Sequence, residues 1–193
     1  MSTTVCIVHH SGFGHTARQA AAVAEGVRAV DGVTCHEFTV GDLEDTEAAG
    51  WKTLDEADAI VLGCPTYMAT VSAALKVFME ATSARWMEQK WAGKLAAGFT
   101  NSGSWNGDKQ NTLTALATFA AQHGMLWIPL GQLPGNNSSE GSVEDRNRLG
   151  ASLGAMAQSD VDAGPDVAPP EADLVTARDF GRHLAECARR WSP

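Results

Sequence analysis

VCIVHHSGFGHTAR, residues 5–18, passes from an apolar run through a short loop of hydroxyls and glycines directly into a helical pattern. A strand, a tight loop of small residues and a helix N-terminus together form an anion site. The first-turn N–H groups have no partner inside the helix, and the dipole favours negative charge. The loop is SGFGHT, residues 11–16. Ser11 and Thr16 supply hydroxyls, while Gly12 and Gly14 let the backbone curl so that N–H groups converge. The loop has no Lys or Arg, so a phosphate here is held by neutral donors and the helix dipole. The Gly-Lys-Ser/Thr signature of an ATP-binding P-loop is missing. GFGHTA, residues 12–17, does satisfy G-x-G-x-x-A, and Glu37 in CHEFTV stands near the position where a dinucleotide fold places an acid on the ribose. A Rossmann-type site stays open at this point.

The length, 193 residues, suits one domain, residues 1–193, with a substantial core. A hydrophobic content of 44% is that of a globular chain rather than a disordered one. The formal net charge of -9 argues against nucleic acid and anionic membrane as partners, which demand basic patches. It serves solubility, or else an acidic face that guides a redox partner. Cys6, Cys35, Cys64 and Cys187 are scattered without C-x-x-C spacing and read as reduced packing residues, not as a disulfide frame or metal site. No signal peptide or membrane-length apolar run is read, so the expected compartment is the cytoplasm.

Strand and helix patterns alternate along the chain. Strands are expected at residues 3–9, 33–40, 58–63, 94–100 and 125–130, and helices at 15–29, 71–84, 108–123 and 170–191. Residues 41–57 read as an acidic connection with a short helix at most. Residues 131–168, rich in Gly, Asn, Ser, Asp and Pro, read as a long irregular segment, which in a compact domain is usually functional or mobile. Pro169 and Pro170 with Glu171 and Asp173 suit the first turn of the last helix. This alternation predicts an α/β fold with a five-stranded parallel sheet. Three loops at the C-terminal ends of strands are chemically loaded: SGFGHT, PTYMAT and NSGSWNG, after the first, third and fourth strands. In a sheet of order 2-1-3-4-5 those strands are adjacent, and ligands bind at the switch point between the first and third.

These residues resemble the flavodoxin-like superfamily, and most closely its WrbA-type NAD(P)H:quinone oxidoreductases. SGFGHT is similar to the flavodoxin phosphate loop. GCPTYMATVSAALKVFME, residues 63–80, is similar to the family's Pro-Thr loop and following helix. NSGSWNGDKQNT, 101–112, matches the polar glycine-rich loop after the fourth strand, and QHGM, 122–125, the entry to the fifth. The match spans residues 3–135 and resumes weakly at the last helix. It departs in three places. Tyr67 stands where the pattern has Arg, Trp105 and Asn106 replace a glycine run, and the connection between the second and third strands is short.

The resemblance implies a three-layer flavodoxin-like fold and an FMN cofactor. Ser11, Gly12, Phe13, Gly14, His15 and Thr16 would bind its phosphate. The plainer alternative is a helix cap after a glycine turn. Pro65, Thr66, Tyr67, Met68 and Ala69 would line the flavin ring, with Tyr67 stacked on or beside it, or else a surface aromatic. Asn101, Ser102, Gly103, Ser104, Trp105, Asn106 and Gly107 would hold the ribityl chain and pyrimidine edge, or form a plain polar turn. Trp105 would cover the cofactor or join a subunit contact. His123 would reach the ring from its own helix or from a neighbouring subunit, or serve only as a helix C-cap. The activity implied is transfer of a hydride from NADH or NADPH to FMN, followed by two-electron reduction of a quinone, in a homodimer or homotetramer. The alternative is a flavodoxin-type one-electron carrier. No metal is implied.

Overall fold

The computed structural model describes residues 3–191, and its centre is the strand that precedes the SGFGHT loop. β1 (Thr3–His9) is apolar on both sides because it lies inside a parallel sheet covered on both faces. β2 (Val33–Thr39) pairs on its outer side and β3 (Ala59–Tyr67) on its inner side, both parallel. β5 (Leu95–Ser102) continues the sheet beside β3. With β6 (Leu126–Trp127) at the far edge, the path is β2-β1-β3-β5-β6, so the five places of the sheet carry the order read from the sequence. Alternation along β1 divides the core. Val5 and Ile7 face the layer of α1 (His15–Arg28) and α6 (Glu171–Trp191). Cys6 and Val8 face α2 (Ala49–Glu56), α3 (Ala73–Ala81) and α5 (Lys109–Gln122).

Three features differ from the sequence-based expectation. The 41–57 connection holds a 3-10 turn (Val40–Leu43) as well as α2, whose Trp51 and Leu54 are buried. The helix expected over 71–84 is two: α3 stops at Ala81, and a short α4 (Ser83–Met87) follows. The fifth place of the sheet is shared by two short strands. β6 (Leu126–Trp127) pairs with Leu95 and Ala96 at the start of β5, and β7 (Ala155–Gln158) pairs with Phe99 to Ser102 at its end. Residues 128–154 form an excursion between the two halves, so the segment 131–168 contains a strand. Gly154 admits β7 to the sheet, since a Cβ there would lie 2.2 Å from the Gly98 carbonyl oxygen.

Helices α1 and α6 approach through reciprocal glycines. A Cβ on Gly26 would lie 1.8 Å from the Arg178 carbonyl oxygen, and one on Gly181 would lie 2.0 Å from that of Val23. Both obstacles are backbone, so relief requires the helices to separate. Gly181→Ala is therefore expected to destabilise by about 2–3 kcal/mol despite the helix propensity it gains. That lowers Tm by roughly 5–10 °C for a chain of this size. A calorimetric Tm equal to that of the native protein would refute the packing argument.

Candidate functional site

The three loops after β1, β3 and β5 meet at the C-terminal edge of the sheet around a cavity of about 320 Å³. Ser11, Gly12, Phe13, His15 and Thr16 form one wall. The Gly14 N–H donates to Ser11 Oγ (3.1 Å), which curls the loop, and Gly14 takes φ +90°, open to glycine at little cost. No side chain caps α1, so its first N–H groups are left to whatever enters the cavity. Gly12 has a second reason to be glycine: a Cβ would lie 2.3 Å from Tyr67 Oη. The phosphate-type loop and the loop after β3 are thus in direct contact.

Pro65, Thr66 and Tyr67 form the second wall. A chain of threonine hydroxyls fixes it to the sheet and to α5. Thr100 Oγ1 donates to the Cys64 carbonyl (2.7 Å), and Thr66 Oγ1 lies 2.8 Å from both Thr100 Oγ1 and Thr112 Oγ1. Each hydroxyl has one proton, so Thr66 donates to Thr100 and Thr112 donates to Thr66. Beyond Tyr67 the chain turns back into β4 (Thr70–Val71), antiparallel to the end of β3. The two turn residues, Met68 (φ +46°) and Ala69 (φ +70°), are both left-handed without being glycine or asparagine. Such backbone costs of order 1 kcal/mol per residue and is held by its surroundings. Asn111 Nδ2 on α5 donates to the Ala69 carbonyl (2.7 Å) and helps hold it. The turn leaves Met68 96% exposed, and Phe13 in the loop after β1 is 77% exposed.

Asn101, Ser102 and Gly103 form the third wall, with Ser159 and Val161 opposite them. The Ser159 N–H donates to the Ser102 carbonyl (3.0 Å) and its hydroxyl donates to Asn101 Oδ1 (3.1 Å). Segment 159–165 then crosses to α1. His15 Nε2 lies 2.8 Å from the Ala163 carbonyl, and Arg18 Nη1 donates to that of Pro165 (2.9 Å). Ser159 and Val161 were not among the sequence-based candidates. They arrive through the pairing of β7, and the only sequence signal was the length of the segment that carries them.

Six candidates flank the cavity without lining it: Gly14, Met68, Ala69, Ser104, Asn106 and Gly107. Trp105 opens onto an adjacent cleft with Arg148, Gln158 and Asp160, its ring 4.6 Å from the Arg148 guanidinium carbon. Arg148 is held in turn by Asp173. His123 is not brought to the cavity in its own chain. It follows the far end of α5, a helix of 14 residues, roughly 20 Å from the loop after β5. It is buried between Trp91 and Phe119, which lowers its pKa by desolvation. Thr82 Oγ1 spends its proton on the Met79 carbonyl, so His123 donates from Nε2 to Thr82 (2.9 Å), leaving Nδ1 as an acceptor without a partner.

Glu37, on the edge strand β2, is bound to Arg28 at the end of α1 (2.5 Å), not set to receive a ribose. No group of three or more His, Cys, Asp or Glu is placed to hold a metal ion among the described residues. No helix among them is long and apolar enough to cross a membrane.

The model of the NADPH-dependent FMN reductase family matches residues 14–140. Flavodoxin FldP of Pseudomonas aeruginosa is 41% identical over 95% of this chain and 96% of its own. An NAD(P)H dehydrogenase (quinone) of Chromohalobacter salexigens is 32% identical over 96% of this chain and 97% of its own. Among solved structures, a WrbA-like flavodoxin from Agrobacterium tumefaciens aligns with a TM-score of 0.75 at 38% identity, covering 99% of this chain and all of that one.

Proposed function

The chain belongs to the NADPH-dependent FMN reductase family, within its flavodoxin-like, WrbA-type members, and we propose that it is an FMN-dependent NAD(P)H:quinone oxidoreductase acting as one domain. The observation that carries this reading is the convergence of the three loops on one cavity. At one end lies the uncapped N-terminus of α1, and at the other an exposed rim of Phe13, Tyr67 and Met68. The residues present fit FMN. The open N–H groups and the hydroxyls of Ser11 and Thr16 suit a phosphate dianion. FMN would supply a ring that accepts a hydride and passes two electrons on.

The chain's part is to bind and orient. The threonine relay fixes Thr66 beneath the wall, Asn111 holds the hairpin turn, and segment 159–165 closes the remaining side. None of these roles demands a nucleophile or a metal. We place His123 as a contributor from a second subunit, in a homodimer or homotetramer. Its support is a groove of about 630 Å³ between α3–α4 and α5, where His123 and the part-exposed Trp86 both lie.

An anaerobic titration of the FMN-loaded protein with NADH and with NADPH tests the activity. Complete bleaching of the flavin band, reversed by benzoquinone, is the expected result. A second reading, the one-electron carrier, is favoured by the same exposed apolar rim on a chain of net charge -9, a surface suited to a protein partner. Flavin that ignores both nucleotides but takes electrons singly from dithionite would replace the first reading with the second.

A further inference from the structure

Lys109 breaks two rules at once. It is completely buried, and it is the first residue of α5, where the helix dipole opposes a positive charge. A lysine in such a place needs strong compensation, and all three of its protons have partners. Nζ donates to Ser102 Oγ (2.9 Å), to the Ser104 carbonyl (2.7 Å) and to the Trp105 carbonyl (2.9 Å). The two preceding carbonyls of the loop are also tied, that of Ser102 by the Ser159 N–H and that of Gly103 by Gln158 Nε2 (3.0 Å each). Four consecutive carbonyls, 102 to 105, are therefore committed.

The planar trans peptide then fixes the other half of each unit: the N–H of Trp105 and of Asn106 points away from Lys109. Among the described residues, none of the N–H groups from Gly103 to Gly107 donates a hydrogen bond within the chain. The loop shows its acceptors inward to a buried cation and keeps a run of donors free beside the cavity that Ser102 and Gly103 line.

We propose that Lys109 is a positioning residue of the cofactor site, an internal cation that turns the loop after β5 inside out so that its N–H groups read the acceptor edge of the bound flavin. This inference rests on the FMN reading above. Two charged groups face Lys109 across the core, Asp173 of α6 and Arg148 of the excursion. Burial dominates over both and brings the Lys109 pKa down to about 8. Once neutral, the amine has two donors for three acceptors and no charge to strengthen them, so the loop relaxes. The sign follows: FMN binding favours the protonated form, and affinity falls as pH rises through about 8. Tyr67 and Cys64, the nearby groups that also titrate, are pushed upward by burial, Cys64 to about 11, and stay protonated in that window. The phosphate of FMN has already ionised, with a second pKa of about 6.

The test is the FMN dissociation constant from pH 7 to 9.5 for the native protein, Lys109→Met and Lys109→Arg. The native constant is expected to hold flat to about pH 8 and then rise, by at most tenfold per unit. Lys109→Met is expected to bind about tenfold more weakly at pH 7, with no pH dependence. Lys109→Arg, charged throughout, is expected to recover part of the affinity and to be equally flat. Equal slopes in the native and Met proteins, or a flat native profile, overturn the proposal. Should the variants fail to fold, calorimetry of the native protein in two buffers of different ionisation enthalpy decides it: FMN binding at pH 8.5 takes up a fraction of a proton, and zero uptake sinks the idea. A native protein that binds no FMN at pH 7 removes the functional reading, and the role of Lys109 falls with it.

Discussion

Thr16→Asp is expected to weaken FMN binding by about a thousandfold while leaving the protein folded. Thr16 is in the first turn of α1, buried, with its side chain on the cavity wall. A carboxylate there meets the phosphate at close range. Two unit charges about 4 Å apart near a protein surface repel by roughly 4 kcal/mol, which converts to nearly three powers of ten in affinity. The same carboxylate is welcome to the helix, since it accepts from the free N–H groups and complements the dipole. Loss of flavin without loss of Tm is thus the signature. Thr16→Val, which removes only a hydroxyl, is expected to weaken binding about fivefold, the worth of one neutral hydrogen bond. Flavin content that survives in a folded Thr16→Asp protein would remove the phosphate from this loop.

The largest effect on stability is expected from Asp173→Ala. Its carboxylate receives Arg148 through both oxygens, Nε to Oδ1 at 2.7 Å and Nη2 to Oδ2 at 2.9 Å, and also the Gln158 N–H at 2.9 Å. The side chains are 5% and 2% exposed, so removing Asp173 strands a guanidinium out of reach of water. Breaking such a pair from one side costs about 3–5 kcal/mol, a fall in Tm of roughly 10 °C or more at this chain length. Replacing both partners with apolar residues of similar volume, Arg148→Met with Asp173→Leu, is expected to recover most of the loss, because no buried charge then remains. Thermal unfolding followed by circular dichroism separates the cases. A single variant that melts within 2 °C of the native protein would mean that the pair contributes little net stability. The consequence also reaches the site, since Gln158 joins Asp173 to the Gly103 carbonyl of the third wall.

The central strands were readable because a parallel strand covered on both faces must be apolar throughout, as residues 59–62, AIVL, are. The three loops were readable because ligands gather where such strands end. β7 was not readable. AMAQ has little strand propensity, and it is a strand only because Gly154 lets the chain lie against β5. Ser159 and Val161 depended on that pairing and were missed with it. Lys109 looks like an ordinary exposed lysine at the start of a polar helix. Its burial comes from carbonyls of the preceding loop that no spacing rule reports. The hairpin turn at Met68 and Ala69 lacks the glycine or asparagine that marks left-handed backbone, so no residue there announces it. His123 does not reach the cavity of its own chain for a simpler reason: its helix carries it to the opposite end of the sheet from the loops.

The pairing of α1 with α6 also sets an order of events on the ribosome. The layer of α2, α3 and α5 has every one of its fully buried residues by Met125. The opposite layer has α1 from the beginning but no second helix until residues 171–188 emerge, and Gly26 has nothing to nest against before then. At ~5–20 residues per second, α1 and the sheet side carrying Val5, Ile7 and Val61 wait on the order of ten seconds, half covered, for the helix that seals them. A nascent chain paused before Glu171 is one-sided, with one completed face and one apolar face still without its cover.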